Sequence, residues 1–279
     1  MSVRTSERAR ALAANAASYD ARAEREFVSG APHLKHASVA AIYEGMVERA
    51  LASLGRPARE VSVLEVGAGD GRASVAWLRR GVRLTAIDSS STMLARLRAR
   101  AEGYGVPART QVGDAIELLE RLDRRFDVVT HVSMLHHVPG YLELLDRSAA
   151  AVAPHGCLLT FQDPLRYDRL PRVAHAADRA AYFAWRLAQG NLRQGLRTRL
   201  RRLRGRYDPD EPADYEEYHV VRNGLDSEAM RARLAPCFGS VSEVRYWATQ
   251  GAPWQWLGER LGLRTEFGVV AIDRRRASR

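Results

Sequence analysis

Between residues 5 and 54, apolar side chains recur at helical spacing. The first run is rich in Ala, Arg and Glu through about Phe27 and breaks at Ser29-Gly30-Ala31-Pro32. A second run carries Val39, Ile42, Met46, Val47 and Leu51 at i, i+3/i+4 steps. After Arg56-Pro57 the pattern changes. Short, largely apolar runs at 61–66, 83–87, 126–132 and 157–162 predict strands, and a short third strand is expected at 109–112. Helical patterns fill the intervals at 73–80, 92–101, 115–122 and 141–152, and Pro154-His155-Gly156 predicts a turn into the fifth strand. Apolar strands alternating with helices predict an α/β fold, a parallel sheet covered on both faces. The rhythm stops at Asp163-Pro164. Helical patterning runs from Leu165 to about Tyr207, a turn follows at Asp208-Pro209-Asp210-Glu211-Pro212, and a helix is expected over 227–234 with Asp226 or Ser227 as N-cap. Runs at 241–247 and 267–272 read as two closing strands. The chain therefore divides into N-terminal helices (1–56), an alternating core (57–164), a helical insertion or lid (165–235) and C-terminal strands that complete the sheet (236–279).

Charge changes this picture at one place only. The net charge is +10, and all but one of the basic residues are arginine, Lys35 being the exception. Between Arg166 and Arg206 stand 12 arginines against Asp168 and Asp178, so that segment holds the whole excess. Leu192, Leu196, Leu200 and Leu203 recur there among Arg193, Arg197, Arg201 and Arg204, the pattern of an amphipathic basic helix. Such a helix is either a solvated face or a surface for an anionic partner. No stretch is long and apolar enough for a membrane span, and the N-terminus lacks the apolar core of a secretory signal, as expected of a cytoplasmic protein. Cys157 and Cys237 form neither a disulfide framework nor a zinc spacing, and no metal site is expected.

Candidate chemistry begins where the first strand ends, at Val63-Leu64-Glu65-Val66-Gly67-Ala68-Gly69-Asp70-Gly71-Arg72. Glycines there permit a tight turn and close approach of a ligand to the backbone, and the loop is expected to open a helix whose free N–H groups face that ligand. Asp88 ends the next strand at a spacing suited to accepting both ribose hydroxyls of a nucleoside. Arg72 stands where a nicotinamide-dinucleotide pattern needs glycine. The E-x-G-x-G-x-G form instead resembles motif I of class I S-adenosylmethionine-dependent methyltransferases. The resemblance extends over residues 60–164, through Leu84-Thr85-Ala86-Ile87-Asp88, Gly113-Asp114-Ala115, Phe126-Asp127-Val128-Val129, Leu135-His136-His137-Val138 and Gly156-Cys157-Leu158-Leu159.

That resemblance implies a Rossmann-like, seven-stranded, mostly parallel sheet whose last strand is antiparallel. It implies S-adenosyl-L-methionine as cofactor and methyl transfer as the reaction. Gly67, Ala68 and Gly69 would meet the amino-acid part of the cofactor, with Glu65 ordering their loop. Asp88 would bind ribose, Ser89, Met93, Asp114 and Ala115 would surround adenine, and His131 and Val132 would flank the methionine moiety. Tyr19 and His36 are the candidates in the N-terminal helices for closing over the cofactor. An oxygen or nitrogen acceptor needs a base. His136 is the first candidate, while His137 is expected to face the following helix; Tyr218 and His219 are the next candidates, in a cluster at 215–224 that should overhang the substrate pocket. The expected acceptor is a small molecule, possibly anionic or carrier-bound. An RNA acceptor fits the charge, yet Thr130-His131-Val132-Ser133-Met134 lacks the Asn/Asp-Pro-Pro-aromatic sequence of base amino-group methylases. The remaining alternative is a cyclase or regulatory protein that binds the cofactor without transferring methyl.

Overall fold

The computed structural model describes residues 31–188 and 223–276, together with Ala13, Ala16, Ala17, Tyr19 and Asp20. Two helices lead, α1 (Pro32–Lys35) and α2 (Ala37–Leu54). The core then runs β1 (Ser62–Val66), α3 (Val75–Leu78), β2 (Arg83–Asp88), α4 (Ser91–Gly103), β3 (Arg109–Val112), α5 (Ala115–Glu120), β4 (Phe126–Val132), α6 (Tyr141–Ala151) and β5 (Val152–Pro164). After it come α7 (Arg172–Ala188), α8 (Ser227–Leu234), β6 (Phe238–Tyr246), α9 (Ala252–Arg260) and β7 (Glu266–Arg274). The seven strands order as β3-β2-β1-β4-β5-β7-β6. Only β7 is antiparallel to its neighbours, inserted between β5 and β6.

Strand alternation splits the core into two layers. Val63, Val128, Val132, Leu159 and Phe161 pack under α2, α3 and α4 with Tyr43, Trp77 and Leu97. Leu64, Val66, Val129, Leu158 and Phe267 pack under α5, α6 and α8 with Ile116, Leu144, Leu145, Met230 and Leu234. In the first layer Trp77 Nε1 donates to the Tyr43 hydroxyl at 2.9 Å. No helix among the described residues is long and apolar enough to cross a membrane.

Several expected boundaries move. The helix expected over 73–80 contracts to α3, because the chain leaves Gly71 at φ +78° and closes its next turn with i→i+3 bonds, Ala76 N–H to Ala73 O and Trp77 N–H to Ser74 O. β5 absorbs the expected turn at Pro154-His155-Gly156 as an irregularity, with Val152 opposite Phe126 and Cys157 opposite Val128. Helix α9, around Trp254 and Trp256, is absent from the sequence pattern; Pro253 at its start and Gly258 within it mask the periodicity. Helix α8 carries its predicted Asp226 cap, accepting from Ala229 N–H at 3.0 Å. It does not form part of a lid: Met230 and Leu234 are fully buried in the second layer, and Arg233 pairs with Asp146 of α6. The basic helix expected around Arg193–Arg206 lies outside the described residues.

Gly71 ties this fold to the loop after β1. A Cβ there would sit 2.7 Å from Leu97 Cγ of α4, on a backbone already at positive φ. Gly71→Ala is expected to cost about 2–4 kcal/mol from strain and overpacking together. Urea unfolding should show a lowered midpoint with an unchanged slope; a loss below about 0.5 kcal/mol would contradict the close packing.

Candidate active site

β1 and β2 end side by side, and the glycine turn is bonded onto β2. Gly67 N–H and Ala68 N–H both donate to Ile87 O, at 2.8 and 3.1 Å. Gly69 N–H donates to Asp88 Oδ2 at 2.8 Å, and Ser90 N–H to Asp88 Oδ1 at 2.9 Å. The amides of Gly67, Ala68 and Gly69 are thus spent within the protein. The loop instead leaves space. A Cβ on Gly69 would meet nothing within 4 Å, whereas one on Gly67 would overlap the Met134 side chain. Ala68 is buried in the first layer.

Glu65 lies on the α2–α3 side of the sheet, opposite Thr130 in register, and is 1% exposed. Ser74 donates to its Oε2, and its Oε1 has no partner among the described residues. Burial pushes this carboxyl up to about 7, opposed by the Ser74 hydrogen bond. Burial likewise raises Asp88, against the backbone donors of Ser90 and Gly69. Beside it, Gly113 N–H donates to Asp88 O at 3.0 Å, so Asp114 and Ala115 follow at the same sheet edge. Asp114 Oδ1 caps α5 through Ile116 N–H at 2.8 Å and Glu117 N–H at 3.1 Å. Ser89 borders this edge; Met93, in the first turn of α4, is fully buried with its N–H held by Ser90 Oγ at 3.0 Å. An open glycine, a ribose-height acid and a buried unpaired carboxylate oxygen fit a nucleoside that carries a cationic amino-acid arm. Asp88, Glu65, Gly69, Asp114 and Val132 are the residues that would hold it.

The chain leaving β4 builds the neighbouring half of the site. Ser133 adopts φ 52°, Met134 lies on Gly67, and a 3-10 turn spans Leu135–His137. His136 is 8% exposed and its Nδ1 stands 2.9 Å from Asp163 Oδ1, at the end of β5. His136 N–H also donates to Asp163 Oδ1, at 3.2 Å. Asp163 is fully buried, and its Oδ2 has no partner among the described residues. Burial pushes the Asp163 carboxyl up to about 8, and pushes the His136 imidazole down to about 4. His33, in α1, is close enough to feel the His136 charge, and burial lowers it to about 4 as well.

The structure brings some expected residues here and sends others elsewhere. Tyr19 reaches the site, its hydroxyl 3.2 Å from His137 Nε2, so His137 meets the N-terminal segment. Asp20 accepts from Ser90 Oγ at 2.5 Å, on the cofactor side. His36 does not reach the glycine loop; its Nε2 lies 2.7 Å from Thr249 O, beyond β6. His131 cannot flank a ligand with its ring. That ring points under α6, 2.9 Å from Ser148 Oγ, because strand alternation sends it to the face opposite Glu65 and Thr130. Val132 sits at the strand end in the first layer. Tyr218 and His219 lie outside the described residues. Sequence reasoning missed Ser90, Met134, Asp163 and His33. Asp163 carried a usable signal, since it ends a strand at the ligand-facing edge just as Asp88 does.

Residues 63–156 match a family model described as "Methyltransferase domain". A "Ubiquinone biosynthesis O-methyltransferase" of Coxiella burnetii is 33% identical over 96 residues, 34% of this chain and 41% of that protein. One from Paramagnetospirillum magneticum is 34% identical over 109 residues, 38% of this chain and 42% of that protein. The chain thus matches about two fifths of the length of these curated relatives. Among solved structures, geranyl diphosphate C-methyltransferase from Streptomyces coelicolor superposes with a TM-score of 0.51 at 12% identity, over 88% of this chain and 87% of that one. At that identity the likeness concerns the fold.

Glu65 yields a stability prediction with a defined sign. Its folded pKa of about 7 exceeds the ordinary 4.5, so the folded state holds the extra proton between those values. Stability should therefore fall as pH rises from about 4.5 to about 7, by up to about 3 kcal/mol. Glu65→Gln should flatten that part of the profile in urea titrations at successive pH values. An unchanged slope would show that Glu65 is not the group responsible.

Proposed function

We propose that this chain is a class I S-adenosylmethionine-dependent methyltransferase, a reading supported by the match of residues 63–156 to a methyltransferase-domain model, and that it methylates an oxygen or nitrogen of a small-molecule acceptor with His136 as the base. The observation that carries the reading is the buried His136–Asp163 pair, two residues beyond the Met134 side chain that lies on the glycine turn. When bound, S-adenosylmethionine supplies a methyl group already activated on a sulfonium. The protein's work is then alignment and proton removal. Asp88 takes the ribose hydroxyls, and the unpaired Glu65 Oε1 faces the cofactor's ammonium group. His136 Nε2 accepts the acceptor's proton as the heteroatom takes the methyl. Asp163 orients the imidazole through Nδ1 and balances the charge that forms on it. Tyr19 reaches His137 from the N-terminal segment.

Protonation of the pair sets when the base is competent. With its proton in place, Asp163 donates to His136 Nδ1; the ring hydrogen then sits on Nε2 and leaves no lone pair there. Once Asp163 loses that proton, Nδ1–H donates to the carboxylate and Nε2 is free. The active form grows as pH rises through about 8.

With labelled S-adenosylmethionine and an acceptor found by screening extracts, kcat/KM should rise with pH and level off above about 8. Asp163→Asn should lower the plateau by about 10²–10⁴ and abolish the rising limb. Affinity for S-adenosylhomocysteine should stay within about twofold, because Asp163 lies outside the nucleoside half. A His136→Ala variant with unimpaired turnover would remove the base assignment.

A further inference from the structure

Helix α7 packs on the protein along one side only. Ala174 and Ala181 are buried, and Asp178, the helix's single acid, falls between them at steps of four and three residues. The other side is apolar and open. Val173, Ala176, Ala180, Phe183 and Leu187 follow one another at steps of three and four, and all are exposed, Val173 at 69%, Phe183 at 50% and Leu187 at 45%. At 1.5 Å per residue this stripe is about 21 Å long. Along its border Arg172, Arg179 and Arg186 recur every seven residues. Arg172 and Arg179 are exposed and have no ion-pair partner among the described residues.

The stripe begins at a cavity. Val173, with Leu165, Leu170 and Leu263, lines a space of about 470 Å³, and Arg166, Arg169, Arg245 and Arg264 stand around it. Three of these arginines are held in ion pairs, Arg166 with Asp168 and Asp226, Arg169 with Asp226 and Glu228, and Arg245 with Glu243. Arg264 is exposed and has no such partner among the described residues. Leu165 directly follows Pro164 at the end of β5, so this face borders the sheet edge that carries Asp163.

A continuous exposed apolar patch marks a contact surface, and unpaired cations along its border select an anionic one. We propose that α7 and the cavity at its start dock the protein on an anionic lipid surface, with the Val173–Leu187 stripe seated where headgroups meet acyl chains and Arg172, Arg179 and Arg264 on lipid phosphates. An amphipathic helix binds such a surface by sinking its apolar side about 5–10 Å while its cations meet the headgroups. The arginine stems lie along the stripe and keep their guanidinium groups at phosphate level. Val173 and Leu187, at the ends of the stripe, offer no ring face for stacked bases, which favours acyl chains over single-stranded RNA. Docking of this kind is independent of the chemistry at His136.

The test sediments the full chain with vesicles of phosphatidylcholine alone and of phosphatidylcholine mixed with phosphatidylglycerol. Partitioning onto the anionic vesicles should be at least about tenfold stronger, and the difference should vanish in about 1 M salt. Arg172→Gln with Arg179→Gln should remove most of the anionic preference, about fivefold for each arginine. Phe183→Ser with Leu187→Ser should weaken partitioning by at least about tenfold. All four side chains are exposed, so melting temperatures should stay within about 3 °C of the unmodified protein. Equal partitioning onto both vesicles, partitioning onto neither, or an anionic preference untouched by both pairs of substitutions would overturn the proposal. So would binding of a single-stranded oligoribonucleotide with none to vesicles.

Discussion

The site depends on one short set of hydrogen bonds, those that hold the glycine turn after β1 against the end of β2. Ile87 O takes the amides of Gly67 and Ala68, and Asp88 takes those of Gly69 and Ser90. Two consequences follow from spending donors this way. The turn is rigid without any ligand, and the carboxylate suited to ribose is fixed in place by the backbone it organises. Packing completes the arrangement. Gly71 lets Leu97 close against the loop, and Gly67 lets Met134 lie across it, which joins the nucleoside half to the chain leaving β4.

The two halves handle charge in the same manner. Glu65 and Asp163 are both fully or almost fully buried carboxyls, each with one oxygen held and the other without a partner among the described residues. A low-dielectric setting makes each unpaired oxygen expensive and each correct partner strong. The unpaired Glu65 oxygen suits an ammonium group on the cofactor. The unpaired Asp163 oxygen lies at the end of β5, beside the start of antiparallel β7.

Parts distant in sequence seal these halves. Asp20 bonds Ser90 beside Asp88, and its neighbour Tyr19 bonds His137 beside His136. Two successive residues thus bond the β2 end and the turn after β4. The α1–α2 junction is anchored elsewhere, Lys35 on Gln250 O and His36 on Thr249 O, so the N-terminal region is held from the C-terminal strands as well.

Local periodicity and spacing determined much of this protein. The alternating strands and helices, the turn at Gly67–Gly71, the acid at Asp88 and the cap at Asp226 are all properties of contiguous residues, and they stand where the pattern predicts. The sequence also placed His136 after the fourth strand, at the ligand edge. It could not assign its partner, because Asp163 lies 27 residues away and meets it only through the parallel pairing of β4 and β5. Nor could it orient His131, whose face of the sheet depends on the register of its strand. His36 and His33 were indistinguishable by residue type; the packing of α1 put His33 near His136 and sent His36 to Thr249. Only the tertiary structure decided these matters, since groups separated by many residues meet through topology and strand register.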